Sequence, residues 1–127
     1  MDEKWEIIFY QEVDGTSPAQ EFLVNSLTSG ELKQFQVRVY LLTMKGLSLL
    51  VERSDIIKKI KTKDNLYELR LDNTPNNPRF FLCALVGKRL VILHGFKKKS
   101  RKIPPGEITI AAKRRDAVVE KENSSDT

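Results

Sequence analysis

The chain has 127 residues, of which 40% are hydrophobic and 31% charged, enough for one domain around one core and unlike a disordered tail or a membrane span. A single cysteine, Cys83, and a single histidine, His94, exclude an intramolecular disulfide and a cysteine-based zinc site, and no metal or other cofactor is expected. The net charge of +5 is unevenly spread: residues 88–115 carry ten Lys/Arg against one acid, Glu107, while residues 1–27 carry one Lys against six acids.

Trp5 to Tyr10 is aromatic and β-branched and predicts a first strand, broken at Asp14-Gly15. Ser17-Pro18-Ala19-Gln20 predicts a helix start, with Ser17 as cap, Pro18 at the first helical position and Gln20 able to close a capping box. Ser29-Gly30 interrupts that helix, and Ser29 is expected to cap a second one. Leu32, Phe35, Val39 and Leu42 recur there at helical spacing before Gly46 stops it.

Residues 47–64 predict a turn or irregular basic segment, with Ile56, Ile57 and Ile60 among lysines. Leu66 to Leu71 then alternates, placing Leu66, Glu68 and Arg70 on one face and Tyr67, Leu69 and Leu71 on the other. After the turn cluster Asp72–Pro78 come two apolar runs, Arg79–Val86 and Arg89–His94, joined at Gly87-Lys88. They complete an antiparallel meander of three strands. Lys97–Lys102 is a basic loop ending at Pro104-Pro105. A last helix follows, with Ile108, Ala111, Ala112, Arg115 and Val119 on one face. The domain is expected to span residues 1–119, and residues 120–127 to form a polar, disordered tail.

The element order is therefore β-α-α-β-β-β-α, an α+β fold with the helical hairpin on one face of an antiparallel or mixed sheet. No run reaches the roughly 18 apolar residues of a transmembrane helix, and Met1-Asp2-Glu3-Lys4 does not read as a signal peptide. The expected compartment is the cytoplasm.

A basic C-terminal third points to a polyanion, nucleic acid first; a solvated face that keeps the chain soluble is the plain alternative. Ser/His/Asp and Cys/His sets, phosphate-cradling glycine loops and paired carboxylates are all missing. Arg70 and Arg79, which end one strand and begin its neighbour, fall side by side near Lys97-Lys98-Lys99. Such cations can stabilise the charge that builds on phosphorane oxygens when a 2′-hydroxyl attacks the adjacent phosphate of RNA, with a lysine moving the proton. The alternative is that Arg70 pairs with Asp72 or Glu68 and Arg79 shields the sheet end. His94 suits packing in a turn better than acid or base work, and Tyr67 suits the core better than base stacking.

These residues resemble the RelE/ParE superfamily of bacterial toxins, in its HigB-like, phage-derived branch. The resemblance is carried by Leu66-Tyr67-Glu68-Leu69-Arg70, by Arg79 opening its strand, and by Leu93 to Ile108, LHGFKKKSRKIPPGEI. It covers about residues 3–118. It implies a small RelE-like fold and a type II toxin that enters the ribosomal A site and cuts mRNA, partnered by a helix-turn-helix, HigA-like antitoxin. Arg70, Arg79, Lys98 and Lys99 match the family's catalytic basic cleft. The expected RNA-binding side chains are Lys58, Lys59, Lys61, Lys97, Arg101, Lys102, Lys113, Arg114 and Arg115, with His94 as a candidate acid or base. Some relatives carry a tyrosine in the C-terminal segment, whereas this chain has none after Tyr67. The ParE side of the superfamily implies a second possibility, a DNA gyrase inhibitor. A non-catalytic nucleic-acid-binding module is a third.

Overall fold

A computed structural model describes residues 3–125. Its elements are β1 (Glu6–Phe9), α1 (Pro18–Ser26), α2 (Ser29–Lys45), a 3-10 turn at Gly46–Ser48, α3 (Leu49–Glu52), β2 (Ile57–Lys59), β3 (Tyr67–Arg70), β4 (Pro78–Leu85), β5 (Arg89–Lys97) and α4 (Pro105–Ser125). The fold is α+β, with the strand, helical hairpin, antiparallel strands and C-terminal helix in the expected order. Among the described residues no helix is long and apolar enough to cross a membrane.

The strands form one sheet in the order β1-β5-β4-β3-β2. Strands β2 to β5 pair antiparallel, and β1 closes the far edge parallel to β5, Glu6 opposite Arg89 and Phe9 opposite Ile92. The segment after Gly46, expected to be irregular, supplies α3 and the edge strand β2. Ile56 and Ile57 are buried there, so three residues of strand suffice to cover the end of the core.

Two cores flank the sheet. On the hairpin side Leu23, Phe35 and Leu42 pack on Leu69, Leu71, Phe80, Leu82 and Ile92. On the other side α4 lays Ala111 and the half-buried Ile108 and Val118 against Leu66, Phe81, Val91, Leu93 and Phe96. Buried on both faces, β4 and β5 read as continuous apolar runs for that reason. Gly46 turns the chain at φ +56°, and a Cβ there would lie 2.0 Å from the Trp5 ring, so only glycine fits beneath the indole.

Three details depart from expectation. Thr28, not Ser29, caps α2: its hydroxyl accepts from Glu31 N at 3.1 Å, and Glu31 returns the bond to Thr28 N at 2.9 Å. The segment from Glu120, expected as a disordered tail, is helical as far as Ser125, because Glu122 ion-pairs with Arg89 of β5 and holds the last turns against the sheet; Asp126 and Thr127 lie outside the described residues. A β-bulge, finally, breaks the register of β4 and β5. Phe81 faces His94 and Leu82 faces Ile92, leaving Leu93 unopposed. Leu93 and His94 thus both turn toward α4, and Phe96 follows them.

Candidate functional site

Alternation along β3 places Glu68 and Arg70 on the α4 side of the sheet, opposite Leu69 and Leu71. Arg70 pairs directly with Arg79 across β3 and β4, so the two guanidinium-bearing residues share one face at one end of the sheet. Arg79 is only 6% exposed. Its Nη1 donates to the carbonyls of Leu71 at 2.9 Å and Pro78 at 3.1 Å, and its Nε lies 3.4 Å from Glu68 Oε2. Burial pushes the pKa of Arg79 down from the usual range, and the Glu68 carboxylate pulls against that.

Two loops wall the site, and one backbone bond joins them: Lys98 N donates to Asn77 O at 3.1 Å, continuing the β4–β5 ladder beyond the strands. The 72–78 loop is held from behind by a polar stripe on α2. Glu31 accepts from Asn76 N at 3.0 Å and Asn76 Nδ2 at 2.7 Å, and Gln34 bonds both backbone groups of Asp72. Arg38 bonds the carbonyl of Arg70 and ion-pairs with Asp72 at 3.8 Å. Asn73 and Asn77 both take positive φ, which asparagine tolerates better than most side chains.

Between the walls lies a cleft of about 380 Å³, lined by Asn77, Arg79, Lys98, Lys99, Ser100 and Arg101. Four of these six are cations and none is an acid, which suits an anion. A larger cleft of about 620 Å³, between the turn at Asp64 and the C-terminal half of α4, sets Asp64, Asp116 and Glu120 against the one cation Arg115. That balance does not suit a polyanion.

Of the residues expected to be catalytic, Arg79, Lys98 and Lys99 line the cleft. Arg70 stands beside them as the cross-strand partner of Arg79, its Nε buried with no hydrogen-bond partner among the described residues. The alternative pairing does not form: Glu68 pairs with Arg79, and Asp72 pairs with Arg38.

The expected RNA-binding residues are scattered. Arg101 lines the cleft, Lys97 and Lys102 are exposed at its border, and Lys58 lies opposite Glu68 in the register of the edge strand. Lys59 and Lys61 are exposed further along the same edge. On α4 only Lys113 is exposed. Arg114 turns inward: it donates to Leu93 O at 2.9 Å, lies 3.7 Å from Glu12 Oε1, and stands 5.5 Å above the Tyr10 ring. Arg115 binds Asp64 O and Asp116 and lines the acidic cleft.

His94 is not among the residues that line the cleft; its ring lies 5.8 Å from the Phe96 ring and 6.4 Å from the Phe81 ring, nearly parallel to both. Arg114 Nη1 approaches its Nδ1 at 3.3 Å. Because arginine only donates, Nδ1 is the acceptor and the proton of the neutral ring sits on Nε2, 3.4 Å from Glu107 Oε1. Burial pushes its pKa below the usual value, Glu107 opposes that, and Arg114 adds to it. Cys83 is fully buried and its thiol is pushed up to about 12, so it offers no thiolate.

Sequence reasoning missed Glu31, Gln34 and Arg38, and gave Glu68 only as a possible partner of Arg70. The first three recur at helical spacing beside the apolar stripe of α2, a signal that polar side chains there reach a neighbouring element.

No curated protein matches the chain. Residues 25–116 match the family described as Phage derived protein Gp49-like (DUF891), which is of the RelE/HigB toxin-like type. The matched span runs from the end of α1 into α4 and contains every side chain that lines the basic cleft. It is nearly three-quarters of the sequence, and the chain belongs to this Gp49-like family.

Proposed function

We propose that the protein is the toxin of a type II toxin–antitoxin pair, of the HigB-like branch, and that it cleaves translated mRNA on the ribosome. The observation that carries this reading is the cleft at the sheet end, where Arg79, Lys98, Lys99 and Arg101 converge without an acid among the lining side chains. Membership of a toxin-like family supports it.

In the proposed reaction the 2′-oxygen of one nucleotide attacks the adjacent phosphorus. The P–O5′ bond breaks, leaving a 2′,3′-cyclic phosphate and a 5′-hydroxyl. Negative charge grows on the non-bridging oxygens and on the departing O5′. Arg79, hydrogen-bonded to two carbonyls and ion-paired with Glu68, presents its guanidinium to that charge, and Arg70 adds to the field. Lys98 and Lys99 are the lining groups able to exchange protons, one accepting from the 2′-hydroxyl and one donating to O5′. A pocket open to solvent that grips phosphates but no base leaves positioning to the ribosome, which explains a requirement for it. The proposed partners are the ribosomal A site with its mRNA, and a HigA-like helix-turn-helix antitoxin; the proposed compartment is the cytoplasm.

Primer extension on a reporter mRNA in a purified translation system tests the reading. Cuts inside the coding region that require ribosomes are expected. Intact mRNA together with blocked DNA supercoiling would replace this reading with gyrase inhibition.

A further inference from the structure

Glu68 is a buried carboxylate at the edge of a site that otherwise collects cations. It is 7% exposed, and its Oε2 has no hydrogen-bond partner among the described residues although Arg79 Nε lies 3.4 Å away. Arg70 follows it on the same face of β3, and Lys58 is its register partner on β2. A carboxylate so placed weakens the attraction of the site for phosphate, so its presence calls for a compensating role. Arg79 supplies one. Its Nη1 is held by the carbonyls of Leu71 and Pro78, its Nε faces Glu68, and Nη2 bonds no acceptor among the described residues. With Nη1 held by two carbonyls and Nε drawn toward the carboxylate by charge alone, without a hydrogen bond, the guanidinium is oriented, and Nη2 is left for a ligand in the cleft that Arg79 lines.

We infer that Glu68 is a positioning residue for RNA cleavage: it aims Arg79 at the scissile phosphate, and its charge lowers the affinity of the cleft for uncleaved RNA. The inference rests on the endoribonuclease reading and assigns a role to a side chain that lines no part of the cleft.

The two parts of this role pull measurable constants in opposite directions. Glu68→Gln keeps the size of the side chain but removes the charge. A misaimed guanidinium loses contacts made in the transition state, whereas a more positive cleft gains ground-state binding. Loss of folded protein, by contrast, lowers the apparent kcat and leaves KM unchanged.

The experiment measures kcat and KM for ribosome-bound reporter mRNA with wild-type protein, Glu68→Gln and Glu68→Asp, with the Nε–H resonance of Arg79 followed by 15N NMR in the protein without RNA. The expected result for Glu68→Gln is a kcat lower by about tenfold to a hundredfold with a lower KM, and a displaced Arg79 resonance. Glu68→Asp, which keeps the charge on a shorter arm, is expected to lose kcat without the fall in KM. It also serves where the glutamine variant does not fold. Cleavage by wild type and both variants at one rate overturns the positioning role and leaves the endoribonuclease reading standing. A fall in kcat with unchanged KM and an unmoved Arg79 resonance overturns it too, as plain destabilisation. If the wild-type protein cuts nothing, the endoribonuclease reading falls and takes the inference with it.

Discussion

Glu31, in the first turn of α2, accepts a 2.7 Å hydrogen bond from the side-chain amide of Asn76, 45 residues further along the chain. That bond ties the helical hairpin to the loop that forms one wall of the basic cleft. Burial alone would raise the pKa of Glu31, but the N–H groups of Thr28 and Asn76 and the Asn76 amide outweigh it and hold the value at about 2, against an ordinary 4.5.

A carboxyl whose pKa is lower in the folded state stabilises the fold fully above its unfolded pKa, and the gain disappears as pH falls through the folded one. Replacing Glu31 by Gln is therefore expected to cost on the order of 2 kcal/mol at neutral pH. The difference should shrink by more than half by about pH 3. Urea unfolding of both proteins at the two pH values measures this, and an equal gap at both would show that the carboxylate charge is not what holds the loop.

His94 gives the opposite sign. Its folded pKa lies below the ordinary 6.5, so the unfolded chain takes up the proton first and stability falls as pH drops below 6.5 toward the folded value. Glu107 and Arg114 are the charged groups facing the ring. In His94→Phe this decline between neutral and mildly acid pH should be absent from the melting temperature. Cleavage by the variant should stay within about threefold of wild type, because the ring lines no part of the cleft. A hundredfold loss would make His94 an acid or base after all.

Gly46→Ala combines a left-handed backbone with a Cβ 2.0 Å from the Trp5 ring. The expected cost is about 2–4 kcal/mol, read from chemical denaturation alongside a changed Trp5 fluorescence. An unchanged midpoint would mean that the indole is free to leave its seat.

Much of the fold was legible because its signals are local. The alternation of Leu66 to Leu71 gives both faces of β3, and the unbroken apolar runs of β4 and β5 mark them as central strands. What was not legible depends on distant partners. Nothing in Trp5 to Tyr10 says that this strand lies parallel to β5, and nothing in LHGF says that a bulge at Leu93 turns His94 toward α4. Lys113, Arg114 and Arg115 read as one basic cluster, yet a helix sends consecutive residues in directions about 100° apart, so only Lys113 is exposed. The tail past Val119 looked uncommitted because its anchor, Arg89, lies 33 residues earlier. Within the site, Arg70 and Arg79 were readable from strand ends. The pairing of Glu68 with Arg79 rather than Arg70 was not, since it depends on a cross-strand neighbour.

The lysines of the cleft should appear in the salt dependence of binding. For single-stranded RNA, Lys98→Ala with Lys99→Ala is expected to make the slope of log K against log salt shallower by about 1.4. Arg114→Ala, which removes a guanidinium facing Leu93, Glu12 and Tyr10, should leave the slope unchanged while lowering stability. A slope that responds to Arg114 and not to the lysines would move the RNA path onto α4.

The most direct test of the account compares wild type and Arg79→Ala in single-turnover cleavage of ribosome-bound mRNA, with ribosome affinity and circular dichroism measured on the same samples. The account predicts a folded variant whose cleavage rate falls by about a hundredfold to a thousandfold while its affinity for the ribosome changes little. A rate that falls only in proportion to affinity, or one that does not fall, would contradict it.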